Sequence, residues 1–206
     1  MDVARFKKFP ILGILRGVEP DAVEPLVESV VASGLETIEI AMNSKDAALL
    51  IKRAVKAAKN RLTIGAGTVL GMNILADALD AGATFIVMPT LVHDVMEYCV
   101  RKSIPVFPGA FSPQEIYNAW NAGATMVKIF PAAMFGPAYI KEVKAPFDRI
   151  DLLACGGVTP ENIKTYFSSG AAAVAFGASV FRKEWLQKKD FASIESSITK
   201  LIANAR

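Results

Sequence analysis

"NAGATMVKIF", residues 121–130, decides how this chain is read. Three other stretches follow its plan: "ASGLETIEIA" (32–41), "DAGATFIVMP" (80–89) and "SSGAAAVAFG" (168–177). In each, a glycine ends a helical pattern and an apolar, β-rich run begins directly after it. The physical reading is a helix C-terminus closed by Gly, followed by a tight return into a sheet. The other apolar runs of the same kind are "PILGIL" (10–15), "LTIGAG" (62–67), "IPVFPG" (104–109) and "IDLLAC" (150–155). With "TIEIAM" (37–42), "TFIVMP" (84–89), "TMVKIF" (125–130) and "AAVAFG" (172–177) they make eight strand candidates. Between them, segments such as "DAVEPLVESVVAS" and "SKDAALLIKRAVKAAK" carry apolar residues at helical spacing.

Strands that are apolar on both faces belong to a parallel sheet covered by helices. Eight strand–helix units in parallel order predict a compact (β/α)₈ TIM barrel, near the lower size limit at 206 residues. An open doubly wound sheet would need a Gly-rich fingerprint after its first strand, and "LRGVEPDAV" is not one. No linker, low-complexity stretch or charge block interrupts the pattern, so residues 1–206 read as one domain.

Bulk properties narrow the function. The net charge of +3 is small and the basic residues are scattered, which argues against a nucleic-acid or membrane surface. The apolar part of "MDVARFKKFPILGILRGVEP" is too short to span a membrane, and it ends in Arg16 rather than a small-residue cleavage site. Two cysteines, Cys99 and Cys155, form no disulfide framework and point to a reducing, cytoplasmic compartment. The single histidine, His93, reads as a surface or capping residue at a helix start, and Cys/His zinc sites lack ligands.

A barrel carries its chemistry at the C-terminal ends of its strands. There, Lys128 shares a strand face with Met126, while Val127 and Ile129 point the other way. One reading is a lysine that snorkels outward or pairs with a carboxylate. The other is an amine desolvated for attack on a carbonyl, forming a Schiff base. Glu39, alone between isoleucines, is either a counter-ion to Lys128 or a general acid/base beside it.

The loops after the seventh and eighth strands, "CGGVTPEN" (155–162) and "FGASVF" (176–181), lie where barrels often bind phosphate. Gly156, Gly157, Gly177 and Ala178 would let a phosphate approach the main chain, and Ser179 adds a hydroxyl; singly, a Gly pair is only a tight turn. Thr68 reads as a substrate-binding hydroxyl or as a helix cap. Arg16 reads as a carboxylate clamp or as a surface ion pair. Pro89 and Pro108 shape the rim, and Phe130 and Pro131 form apolar walls.

"IEIAMNS", "GAGTVL", "KIFPAAMFGP", "CGGVTPEN" and "FGAS" together resemble the class I aldolases of 2-keto-3-deoxy-6-phospho sugar acids. The resemblance runs in unbroken order from "ILGILRG" to "GASVF". It implies a metal- and cofactor-independent carbon–carbon lyase releasing pyruvate and D-glyceraldehyde 3-phosphate, commonly a homotrimer. It also implies that Lys128 is the imine-forming lysine and Glu39 the general acid/base. Thr68 then lies at the carboxylate end, and Gly156, Gly157 and Ser179 at the phosphate end.

Two positions depart from the family pattern. Asn43 stands where gluconate-type members often carry arginine, which shifts carboxylate recognition toward Arg16. Cys155 stands where gluconate-type enzymes have Thr and galactonate-type ones Val; "NS", "FGP.YIK" and "GGVTPEN" lean toward the galactonate type. A 4-hydroxy-2-oxoglutarate aldolase, a phosphosugar isomerase or epimerase, and a phospho-ligand sensor are the competing readings.

Overall fold

The computed structural model describes residues 1–205. Its parallel strands are β1 (Ile11–Leu15), β2 (Thr37–Ala41), β3 (Thr63–Gly67), β4 (Ile86–Val87), β5 (Val106–Phe107), β6 (Gly109–Ala110), β7 (Val127–Ile129), β8 (Leu152–Cys155) and β9 (Ala173–Phe176). The helices are α1 (Val3–Lys8), α2 (Val23–Ala32), α3 (Ala47–Ala58), α4 (Met72–Asp80), α5 (His93–Arg101), α6 (Pro113–Asn121), α7 (Gly136–Lys144), α8 (Ile163–Ser168), α9 (Lys183–Lys188) and α10 (Phe191–Ala205). None of the described helices is long and apolar enough to cross a membrane.

The sheet order is β5-β4-β3-β2-β1-β9-β8-β7-β6. Its two ends, β5 and β6, are halves of the expected fifth strand, parted by Pro108. Proline has no N–H to give to a ladder, so regular pairing lapses there. Carbonyls carry the connection instead. The N–H groups of Thr125 and Lys128 donate to Val106 O and Pro108 O, each at 2.9 Å, while Met88 N–H donates to Phe107 O at 3.1 Å. The barrel is closed through this run, and the eight-unit expectation holds with one strand interrupted.

The four repeated glycines behave alike: Gly34, Gly82, Gly123 and Gly170 have φ of 83°, 99°, 94° and 98°. This left-handed conformation turns each helix end back into the sheet at no Cβ cost.

Strand alternation divides the core into two layers. Ile38, Ile40, Val127 and Ile129 belong to the large cluster between sheet and helices. Leu12, Phe85, Val87, Phe107, Met126 and Leu153 fill the barrel interior together with Phe6. Phe6 arrives on α1, an element the sequence reading did not anticipate. Asp2 caps that helix by accepting a hydrogen bond from Arg5 N–H at 3.0 Å. Apolar filling of the lower interior leaves the upper interior to Glu39 and Lys128.

Candidate active site

Glu39 and Lys128 are 2% and 6% exposed, the only ionisable residues among the described buried polar ones. They sit on the second and sixth strands of an eight-strand ring, across the barrel from one another. Both point inward because their apolar neighbours occupy the outward positions. Lys128 therefore does not snorkel to solvent.

Nor do the two form a direct ion pair: among the described residues, no contact within 4 Å joins them. Glu39 Oε2 is buried and has no hydrogen-bond partner among the described residues. Desolvation pushes the Glu39 carboxyl up, and the opposing pull of Lys128 and Arg16 is weaker. The carboxyl group rests on β3, where a Cβ at Gly67 would come within 2.7 Å of Glu39 Cδ. A glycine at position 67 is thus a condition for this placement of the acid, a role not evident from "GAGTVL".

Lys128 Nζ lies 5.1 Å from the centre of the Phe130 ring, within the range at which a protonated amine is held by the ring face. Cys155 faces the same chamber. Burial pushes its thiol up, with the neighbouring Lys128 ammonium the largest opposing influence. Cys99 lies on the buried face of α5, its thiol pushed up to about 11 by desolvation. Both cysteines are free.

A cavity of about 810 Å³ opens beside this chamber. Arg16, Phe130, Cys155, Gly156, Gly157, Gly177, Ala178 and Ser179 all line it, so eight of the expected residues converge on one space. Gly156 and Gly157 have φ of 99° and 77°, and a Cβ on Gly157 would lie 2.6 Å from Ala133 Cβ. Gly177 is different: a Cβ there would make ordinary 3.6 Å contacts with Ile14.

Side chains fix the two Gly-rich loops. Asn162 donates to Gly157 O at 2.8 Å and accepts from Thr159 N–H at 2.8 Å. The Ser179 hydroxyl donates to Val158 O at 2.6 Å, tying the loop after β9 to the loop after β8. The N–H groups of Gly156, Gly157, Gly177, Ala178 and Ser179 find no acceptor among the described residues. Unpaired N–H groups gathered on one wall form a surface suited to an oxyanion.

Thr68 and Pro89 occupy the rim but do not line this cavity. Thr68 does not cap a helix: Gly71 holds the N-cap position of α4. Its φ of 59° is unusual for a β-branched residue, and its backbone stores strain of about 1–3 kcal/mol. Pro89 lies against the chain at Gly109, where a Cβ would collide with the Pro89 carbonyl. Arg16 makes no ion pair within 4 Å among the described residues, which disfavours the surface-pair reading. The following residue, Gly17, donates to Ser44 Oγ at 3.3 Å, so Ser44 of the "NS" pair braces that turn. Asn43 is exposed, and His93 lies at the exposed start of α5, away from the cavity.

Sequence reasoning passed over Lys183, which also lines the cavity. It lies in "FRKEWLQKK", a run with four basic residues and one acid in which no single lysine stands out. A second groove of about 960 Å³ shares Ala178, Ser179 and Lys183 with the cavity. Two of its cations are engaged: Lys200 pairs with Glu161 at 2.8 Å and Arg182 with Glu184 at 3.9 Å.

The family model for KDPG and KHG aldolase matches residues 3–197. A 2-dehydro-3-deoxy-6-phosphogalactonate aldolase of Escherichia coli is 37% identical over 177 residues, covering 85% of this chain and 86% of its own. A 2-dehydro-3-deoxy-phosphogluconate aldolase of Pseudomonas aeruginosa is 31% identical over 172 residues, covering 83% and 78%. A solved structure described as native KDPGal superposes with a TM-score of 0.88 at 32% identity, covering 95% of this chain and 93% of that one. Matched along almost its whole length, this TIM-barrel chain belongs to the KDPG and KHG aldolase family.

Proposed function

We propose that this protein cleaves a 2-keto-3-deoxy-6-phospho sugar acid to pyruvate and D-glyceraldehyde 3-phosphate through a Schiff base on Lys128. The observation that carries the reading is the inward pair of Lys128 and Glu39, buried on one rim without a direct ion pair. Separation leaves each group available to the substrate instead of neutralising the other.

The Lys128 amine, in its free-base form, attacks the C2 ketone, and loss of water gives an iminium. Glu39, directly or through a water, takes the C4 hydroxyl proton. The C3–C4 bond breaks, its electron pair moves into the iminium as an enamine, and the aldehyde leaves. Protonation at C3 and hydrolysis then release pyruvate and restore the amine. Desolvation suits Glu39 to both proton transfers, because a carboxyl raised toward neutrality gives up and regains a proton more evenly.

The unpaired N–H wall at Gly156, Gly157, Gly177, Ala178 and Ser179 takes the phosphate, remote from the breaking bond. Binding energy there fixes the orientation of the reacting end. Arg16 and Thr68 serve the carboxylate end, and Phe130, Cys155 and Pro89 shape the pocket. No metal or cofactor is required, since the iminium is the electron sink. The low-polarity Cys155 side chain and the higher identity to the galactonate-type relative support the galactonate epimer as the preferred substrate.

With this reading go a homotrimeric assembly and a cytoplasmic location, the latter supported by two free buried cysteines. Borohydride added with pyruvate tests the chemistry: the expected product is a reduced adduct on the peptide containing Lys128. Enzyme that releases pyruvate but leaves Lys128 unmodified would sink the mechanism. A dehydrogenase-coupled assay on both C4 epimers decides the substrate.

A further inference from the structure

We infer that Lys183 is a positioning residue for the phosphate end of the substrate, supplying the full positive charge that the backbone wall lacks; this rests on the function proposed above. A phosphate monoester carries about −1.5 to −2 charge near neutral pH. Backbone N–H groups and the Ser179 hydroxyl oppose it with partial charges only. The charged side chains on the cavity wall are Arg16, Glu19 and Lys183.

These three are not equivalent. Arg16 directly follows β1, and the function proposed above already assigns it to the carboxylate end; its charge also reaches the Glu39 carboxyl and the Cys155 thiol. Glu19 has the wrong sign for an anion. Lys183 lies four residues past Ser179 and opens α9, directly after the loop that carries three of the unpaired N–H groups. It is the cation that chain connectivity ties to the phosphate wall.

Nearby basic residues are already engaged. Arg182 stacks 4.6 Å from the Trp185 ring centre and approaches Glu184. Lys189 pairs with Asp21 at 2.6 Å, and Lys200 with Glu161 at 2.8 Å. Lys183 makes no ion pair within 4 Å among the described residues, and its long stem can swing an ammonium over the cavity mouth. An unengaged surface lysine is ordinary by itself. Its place on the same wall as five unpaired N–H groups is what gives it a role. That role separates phosphorylated from unphosphorylated keto acids without touching the reacting carbons.

Steady-state kinetics of Lys183→Ala and Lys183→Arg test this, with Lys188→Ala, an exposed lysine outside the cavity, as control. The substrate is whichever phosphorylated epimer the parent enzyme turns over, and inorganic phosphate is the competing probe. For Lys183→Ala, KM is expected to rise about tenfold with kcat within about twofold, as loss of uniform binding requires. The inhibition constant of inorganic phosphate should weaken by a similar factor, while Lys183→Arg recovers most of both and the melting temperature stays put. An unchanged KM and phosphate inhibition in Lys183→Ala overturns the inference, as does a fall in kcat with KM constant. Parent enzyme that releases no pyruvate from either epimer overturns the proposed function itself, a separate result.

Discussion

At the residue scale, the inward carboxylate is the most consequential choice in the chain. Glu39 is held against Gly67 with one oxygen unpartnered, and burial outweighs the pull of Lys128 and Arg16. Its pKa in the folded protein therefore stands above its ordinary value of 4.5. The unfolded chain ionises first as pH rises, so the stability associated with Glu39 is full below 4.5 and is lost as pH climbs through the raised folded value. Glu39→Gln removes that loss. The variant is expected to match the parent near pH 4 and to exceed it by about 1–3 kcal/mol at pH 8, the scale of an unsatisfied buried polar group. It should also lose most of its activity. Urea unfolding at the two pH values checks the sign; a variant less stable than its parent at pH 8 contradicts this account of the site. The sequence made Glu39 and Lys128 visible because a lone charge inside an apolar strand has few structural excuses. It did not make Thr68's positive φ visible, because no residue type announces a strained turn, nor the role of Gly67, which exists only against the folded carboxylate.

At the element scale, α1 shows what periodicity cannot reveal. "VARFKK" has three basic residues and only one that is buried, so no apolar stripe marks it as a helix in the sequence. Folded, it lies at the N-terminal end of the barrel, opposite the site. Arg5 pairs with Glu36, just before β2, and Lys7 with Asp151, just before β8, each at 2.8 Å. Exposed pairs of this kind contribute about 0–1 kcal/mol each. Phe6 does more: at 3% exposure it packs edge-on against Phe107 with ring centres 6.0 Å apart. Phe6→Ala is expected to cost about 3–5 kcal/mol through lost burial and the cavity left behind. Activity of the remaining folded protein should change little, since the site lies at the other end. A loss below about 1 kcal/mol on urea unfolding would mean that α1 does not plug the barrel. Pro108 makes the complementary point. A proline within an apolar run was legible as a rim turn, but only the folded ladder shows carbonyls bridging it so that the ring still closes.

At the scale of the whole molecule, the proposed homotrimer has to account for apolar surface that the single chain leaves in water. Leu70 and Met72, at the connection from β3 to α4, are 49% and 39% exposed. Met134 and Phe135, between β7 and α7, are 68% and 58% exposed, and Phe135 stacks on Phe111 at 5.1 Å. Contiguous exposed apolar surface of this kind marks contact sites, whereas apolar side chains scattered singly do not. The two pairs follow different strands, so they suit a head-to-tail contact in which one patch of a chain meets the other patch of the next. Such contacts generate closed rings when the rotation allows, whereas a two-fold dimer would join a patch to itself. Native mass spectrometry of the parent is expected to give three times the 22.1 kDa of one chain. Met134→Asp and Leu70→Asp, each placing a charge on one of the two patches, should each shift that species toward monomer. Monomeric parent protein at assay concentration rules out the trimer. A trimer untouched by both substitutions keeps the assembly but moves its contacts away from these loops. Because both patches adjoin the rim where Glu39 and Lys128 face inward, dissociation should lower kcat/KM together with stability, and a variant that dissociates with full activity would show that each barrel works alone.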